Sequence, residues 1–433
     1  MSVTRRFSGF LAISAATLFL VGFFFNRKFS YHSLLFSTPL VEDDADSSGT
    51  SNLLNDVSRK PLSVAVVETT GYHDEVVAAF VHSFGSQNNS NLALFQKSQR
   101  YGIEKIMQDF RLPKLVPAPQ PPDMLLGENT TELDILVLTT CEYDRITLAS
   151  QLEVLLKEGK THLLCVVHHA DHWANEGHEN FIAPWIEKGL VDFITLSQHT
   201  AIYLRGVGMS SWKTKPPIKA FAPVFPVNLP KLPKAVDREE RELGFGLQGL
   251  YESTRRNYKM IFSHLQSFID SRSSERDRRV NSNVILHLLG QGTHPEVPSG
   301  LASHISFDES LDYHEYYAIL SRTFALLPAF ASDQYLDRKA SSTVPAGLIG
   351  GTPLVATKEI LAAYSYLPED AVYLQEKDET EFDVIGRVLK DAGKHRIEKM
   401  QKVRDRCTEL VESNSRLVEG WIKEMTAKGH VGR

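Results

Sequence analysis

The chain has 433 residues, 42% of them hydrophobic and 23% charged, with a net charge of −6. That composition fits a globular body and offers no basic surface for nucleic acid. Three cysteines, Cys141, Cys165 and Cys407, make no disulfide framework. Each lies in an apolar setting and reads as core packing, although one pair can bridge in an oxidising lumen.

Residues 1–6 form a short tip before an apolar run, FSGFLAISAATLFLVGFFF, over 7–25. At ~1.5 Å per residue this run matches the ~30 Å hydrocarbon core of a bilayer. It is longer than the ~7–15 apolar residues of a cleaved signal peptide. It ends in Phe23, Phe24, Phe25 and Asn26, a poor cleavage site. Arg5 and Arg6 before it are balanced by Arg27 and Lys28 after it, so charge leaves orientation open. Two glycosylation sequons, at Asn88 and Asn129, favour a lumenal body. The expectation is a single-pass type II protein of the Golgi or endoplasmic reticulum, bound to the membrane through residues 7–25. Residues 26–60, rich in Ser, Asp and Asn, read as a stem.

Beyond the stem, short apolar runs alternate with amphipathic ones. Strands are expected at 62–67, 92–95, 134–139, 162–167 and 192–196. Helical patterns lie between them, the first with Val76, Val77, Phe80, Val81 and Phe84 on one face. This alternation implies a parallel sheet covered on both faces, a first domain over 61–225. The Pro-rich stretch 215–234 follows, with the linker placed at 226–240. A second alternation over 241–394 predicts strands at 244–250, 284–289, 324–328, 352–356 and 371–374. A final helix in 395–433 carries Ile397, Met400, Val403, Cys407, Leu410, Leu417, Trp421 and Met425 on one face. It reads as a long closing helix, with a coiled coil as the alternative. The fold class is α/β, two Rossmann-like domains facing across a cleft, preceded by a transmembrane helix. Ligands of such sheets bind at the carboxyl ends of the strands.

The segment KASSTVPAGLIGGTPLVA (339–356) is the strongest local signal. Ser341, Ser342 and Thr343 stand at the entry to a short helix with Pro345 in its first turn. Hydroxyls and backbone N–H groups at a helix start make an anion site, while an ordinary N-cap is the plainer reading of the hydroxyls alone. Strand, helix start and G-G-T-P-L-V-A together resemble the nucleotide-sugar segment of GT-B glycosyltransferases. LGFGLQGLYESTRRNY (243–258) resembles the opening of their donor-binding domain. The order of elements extends the resemblance over nearly all of 60–433.

The resemblance implies a nucleotide-sugar donor, a glycan or glycoprotein acceptor, and no metal or other cofactor. Thr343 and Ser342 match the position that holds the donor diphosphate. Arg255 and Arg256 fall near a basic position that neutralises the leaving group, with Arg338 and Lys339 as alternatives. Gly290 and Gly292 follow a strand, where they let backbone approach the nucleotide or simply form a turn. Many retaining members carry two Glu eight residues apart, and here those positions are Arg338 and Ala346. Their absence argues against a retaining enzyme of the commonest type and removes the Glu that usually holds the ribose.

In the first domain, GYHDE (71–75) follows the first strand, where inverting members often place a catalytic His. His73 is the candidate general base, oriented by Asp74 or Glu75. HHADHW (168–173) makes His168 the second candidate for the base or a phosphate contact. Its spacing does not match the usual zinc motifs, so no metal is assigned. Glu142 or Asp144 of CEYD is a further candidate base or acceptor contact. Two other readings stand beside a GT-B transferase. One is a metal-dependent enzyme using Glu142-Tyr143-Asp144 in the manner of a DXD pair. The other is a catalytically inactive, membrane-tethered sugar-binding or scaffold protein on the same fold.

Overall fold

The computed structural model describes residues 60–127, 132–232, 243–271, 284–390 and 394–429. The apolar run 7–25, stem residues 26–59 and the sequon at Asn129 lie outside them. Among the described residues no helix is long and apolar enough to cross a membrane.

The first half runs β1 (Leu62–Glu68), α1 (Asp74–Gly85), β2 (Ser90–Gln96), α2 (Ile103–Gln108), β3 (Ile135–Leu138), α3 (Cys141–Thr147), α4 (Ala149–Glu158), β4 (His162–Val167), α5 (Glu176–Glu187), β5 (Val191–Thr195), α6 (Gln198–Tyr203) and β6 (Ile218–Ala220). Its six strands are parallel, in the order β2-β1-β3-β4-β5-β6. Every residue of β3 and β4 is buried. Helices cover both faces, which is why these strands read as continuous apolar runs rather than alternating ones.

The second half runs β7 (Leu243–Leu250), α7 (Tyr258–Ser271), β8 (Val284–Gln291), β9 (Ile305–Glu309), α8 (Tyr313–Leu320), β10 (Ala325–Leu326), α9 (Gln334–Asp337), α10 (Thr343–Gly350), β11 (Leu354–Ala356), α11 (Lys358–Ala363), β12 (Val372–Leu374) and α12 (Glu381–Lys390). Its parallel sheet has the order β12-β11-β10-β7-β8-β9. The order of each sheet reverses once, between β1 and β3 and between β7 and β10. Ligands of such sheets bind at that switch point, outside the carboxyl ends of the strands.

Helix α13 (Lys394–Ala427) closes the chain. It packs on α1 of the first half and α10 of the second, so the closing-helix reading describes it and the coiled coil does not. Val403, Leu410, Val418, Trp421 and Met425 join one core with Val77, Phe80, Val344 and Leu348. Leu417, expected on this stripe, is exposed, and buried Asn414 donates to the Ala222 carbonyl at 2.7 Å instead.

Three further features depart from expectation. Strand β6 lies inside the Pro-rich stretch and pairs with β5, Phe193 opposite Ile218. Strand β9 extends the second sheet beyond β8. Cys141 and Cys165 form a disulfide joining the start of α3 to β4, where core packing was expected first and a bridge between one pair was left open; Cys407 is free and buried.

Candidate functional site

At the first switch point, Glu68 ends β1 and is fully buried. Its carboxylate accepts the N–H groups of Thr70, Gly71 and Tyr72 and the Thr70 hydroxyl. This wraps the chain into a tight turn at Gly71, whose φ of +77° suits glycine. His73 follows at φ 61°, immediately before α1. Its Nδ1 lies 3.0 Å from Thr140 Oγ1, at the end of β3, so the ring spans the switch point. Asp144 fixes both sides of that span. It accepts Thr69 N at 2.9 Å, Thr69 Oγ1 at 2.7 Å and Thr140 N at 2.7 Å.

His168, at the end of β4, stacks on His73 with ring centroids 3.9 Å apart. Its Nε2 lies 2.7 Å from the Thr139 carbonyl, which makes Nε2 the protonated nitrogen and leaves the Nδ1 lone pair free. Burial lowers the His168 pKa to about 4. Burial, then the neighbouring His168, holds His73 well below the ordinary imidazole value. Both rings are therefore neutral at pH 7, the state a proton acceptor requires.

The acids near these rings serve structure. Asp74 does not orient His73: it accepts Gln96 Nε2 at 2.7 Å and Arg100 Nε at 3.3 Å. Thr140 takes the place expected of an acid. Burial raises Asp74 and Asp144 to about 7 each, against the pull of their donors. Glu142 is buried and accepts the N–H groups of His168 and His169 at 2.8 and 2.7 Å, with Trp173 Nε1 at 3.3 Å. Glu142-Tyr143-Asp144 thus turns both carboxylates into the protein and presents no chelating pair.

At the second switch point, Arg256 precedes α7 and pairs with Phe330 across the β7–β10 crevice. The residue is 4% exposed, and its guanidinium lies against the Phe330 and Tyr335 rings. It donates to the Gln248 carbonyl through Nε and Nη2, at 3.0 and 2.8 Å, and to Thr343 Oγ1 at 2.7 Å. Among the described residues it has no carboxylate partner. Thr343 opens α10, which the Ser342 side chain does not cap. Ser341 Oγ accepts Thr343 N at 3.2 Å, and Gln248 Oε1 accepts Thr343 Oγ1 at 2.9 Å. A buried cation without a carboxylate partner, beneath a helix start that only Ser341 caps, at Thr343 N, suits an anion.

The other expected donor contacts divide. Arg255 is half-exposed and paired with Glu252 at 2.6 Å. Arg338 pairs with Asp337 and with Asp171 of the first half. Lys339 lies beside the site with no ion pair among the described residues. Gly290 and Gly292 stand where the sheet leaves no room for a side chain. A side chain at Gly290 would fall 1.9 Å from the Gly249 carbonyl, and Gly292, at φ +132°, abuts the Tyr251 backbone.

The two halves meet along the seam holding both sites. His169 bridges to Lys339, Ala170 N donates to the Arg338 carbonyl at 3.2 Å, and His199 bonds the Ala363 and Lys339 carbonyls. At the other flank Tyr101 donates to Gln291 at 2.8 Å. His169, Asp171 and His172 place one donor atom each within 4.8 Å of one another. Two cavities, of about 320 Å³ beside Asp192 and Pro217 and about 120 Å³ beside Ser90 and Leu112, open at the opposite, amino ends of the first sheet's strands. Thr140, Gln248 and Arg100 complete the seam; Gln248 lies within the 243–258 segment, but the segment does not single it out. Asn88 is exposed in the turn between α1 and β2, away from the seam.

No protein-family model matches the sequence, and no curated protein matches it. Solved structures do. HepE of Anabaena in complex with UDP-glucose superposes with a TM-score of 0.55, at 10% identity, over 84% of this chain and 100% of that one. An alpha-glucosyltransferase in complex with UDP-glucose and DNA containing an abasic site gives 0.53, at 12% identity, over 81% and 95%. Sucrose-phosphate synthase from Thermosynechococcus elongatus gives 0.52, at 13% identity, over 85% and 100%. What the chain shares with these structures is the fold, two parallel α/β sheets.

Proposed function

We propose that the chain is a glycosyltransferase that moves a sugar from a UDP-sugar to a hydroxyl of a glycan or glycoprotein. The observation that carries this reading is the Arg256–Thr343 pair, a buried cation without a carboxylate beneath the start of α10. A diphosphate supplies the charge that this site lacks. The UDP-glucose held by HepE and by the alpha-glucosyltransferase supports a UDP donor.

The His73–His168 pair supplies the other half of the chemistry. The acceptor hydroxyl gives its proton to a neutral imidazole, through His73 Nε2 or His168 Nδ1. The acceptor oxygen then bonds the anomeric carbon as the bond from that carbon to the phosphate oxygen breaks. The diphosphate leaves with both electrons of that bond, and Arg256 and the α10 dipole stabilise it. Donor binding of this kind draws its positive charge from the protein and needs no metal ion.

The same reading places the body in the lumen of the Golgi or endoplasmic reticulum, held by residues 7–25. The Cys141–Cys165 disulfide supports an oxidising compartment, and exposed Asn88 supports a glycosylated surface.

The test is a thermal-shift screen against nucleoside diphosphates and their sugars, with and without Mn²⁺. UDP or a UDP-sugar should raise Tm without metal, and less so in Thr343→Val. Stabilisation by no nucleotide would overturn the donor assignment. Donor binding with no transfer to any acceptor would leave a sugar-binding protein.

A further inference from the structure

We propose that His169, Asp171 and His172 form a binding site for one divalent transition-metal ion of the zinc class. The inference does not rest on the transferase reading, and its site belongs to the first half of the chain, not to the phosphate site.

Local geometry brings the three residues together. Residues 170–174 form a 3-10 turn, and the His172 N–H donates to the His169 carbonyl. A 3-10 turn has ~3 residues per turn, so positions three apart eclipse. The His169 and His172 rings accordingly stack, with centroids 4.6 Å apart and planes 11° from parallel. Asp171 between them adds an oxygen, and the three donor atoms lie within 4.8 Å of one another. With metal–ligand bonds of ~2.1 Å, tetrahedral donors sit about 3.4 Å apart. The donors must therefore close by up to about 1.4 Å, and the exposed His172 ring must turn out of the stack so that both nitrogen lone pairs, which lie in the ring planes, converge on one ion.

Two buried atoms of the cluster have no protein partner and are suited to a cation. Asp171 Oδ1 and His169 Nδ1 are each shut off from solvent without a hydrogen-bond partner. Buried polar atoms are normally satisfied by a partner. The turn is also already fixed. Glu142 holds the His169 N–H, and the bridge to Lys339 holds its main chain. Arg338 Nε lies 3.6 Å from Asp171 Oδ2, which leaves Oδ1 for the metal and orients the carboxylate as an outer-shell partner does.

The donor set selects the ion. Two imidazoles and one carboxylate suit Zn²⁺, Co²⁺ or Ni²⁺ rather than Ca²⁺ or Mg²⁺, which prefer oxygen. Three protein ligands leave a coordination position open to water or another oxygen ligand.

The experiment uses the purified full chain, stripped with chelator and titrated with Co²⁺ and then Zn²⁺. The d–d absorption of Co²⁺, calorimetry and Tm are the readouts. One equivalent should bind, Zn²⁺ should displace Co²⁺, and Zn²⁺ should raise Tm. His172→Ala should weaken binding by more than the roughly 10–100-fold that loss of an outer-shell partner costs. Because His172 is exposed, the variant keeps its fold, which its metal-free Tm checks. Asp171→Asn should weaken binding similarly, and His314→Ala, away from the cluster, should not. Absence of a stoichiometric site in the wild-type chain would overturn the proposal. Wild-type affinity in both His172→Ala and Asp171→Asn would also overturn it, placing the ion elsewhere.

Discussion

Arg256 Nη2 donates to Thr343 Oγ1 at 2.7 Å, joining the turn before α7 to the first residue of α10 across the switch point of the second sheet. A hydrogen bond to a charged group is worth about 1.5–3 kcal/mol and a neutral one about 0.5–1.5 kcal/mol. Arg256→Lys should therefore weaken UDP binding by roughly 10–100-fold, and Thr343→Val by about 2–10-fold. Calorimetry on variants shown to be folded by circular dichroism measures both. Unchanged affinity in Arg256→Lys would remove the phosphate site from this position.

His73→Gln should lower kcat by about 10²–10⁴-fold while leaving UDP affinity intact, because the ring lies among Thr140 and His168 of the first half, apart from the Arg256–Thr343 pair. Burial holds His73 neutral well below the usual imidazole range. The kcat/KM profile should thus stay flat from pH 8 to below ~6.5, the ordinary imidazole value. A fall beginning near 6.5 would show that the essential base titrates as a solvated histidine, and His73 would lose the role.

Sequence and structure diverge most clearly at this ring. Asp74 is adjacent to His73 in the chain, but consecutive residues entering a helix point about 100° apart. Asp74 therefore turns to Gln96 and Arg100, and Thr140, 67 residues away, holds the ring. The sheets were more legible, since strands such as β3 and β4 are buried on both faces and must be apolar throughout. Strand β6 was hidden among prolines because its neighbour Pro217 contributes a carbonyl, accepting from Phe193 N at 2.8 Å, and lacks an N–H of its own. Position could not separate Arg255 from Arg256: burial against Phe330 and Tyr335 does. Gln248 enters the site through an amide at a strand end, a residue type that no pattern marks.

Cys141 and Cys165 are separated by 24 positions, and chain-entropy reasoning gives a loop of this length roughly 3.5 kcal/mol. Cys165→Ala or reduction should lower Tm by several degrees, most clearly in denaturant titrations of the intact and reduced chain. Equal midpoints would mean that the bridge does not form in the protein as made.

Asp74 and Asp144 set a pH dependence of stability with a definite sign. Burial raises both to about 7, above the ~4 of an unfolded chain. Their contribution is complete below pH ~4 and is lost as pH rises through about 7. His82, lowered by burial to about 4, acts oppositely, with a contribution present above ~6.5 and lost towards 4. Between pH 6.5 and 8 the acids dominate, so Tm should fall as pH rises. Asp144→Asn should flatten that slope, and an unchanged slope would assign it to other groups.

Helix α13 seals a surface made long before it. Phe80 stacks on Phe221, Phe221 meets Trp421, and Gln87 donates to the Ser415 carbonyl at 2.9 Å. On the ribosome, about 200 residues separate β6 from the end of α13, roughly 10–40 s of synthesis at 5–20 residues per second. Through that interval the side of α1 that meets α13 lacks its cover. Whatever holds the nascent chain must shield that face until the last helix emerges, and a premature stop would release a half-protein with an open, aggregation-prone flank.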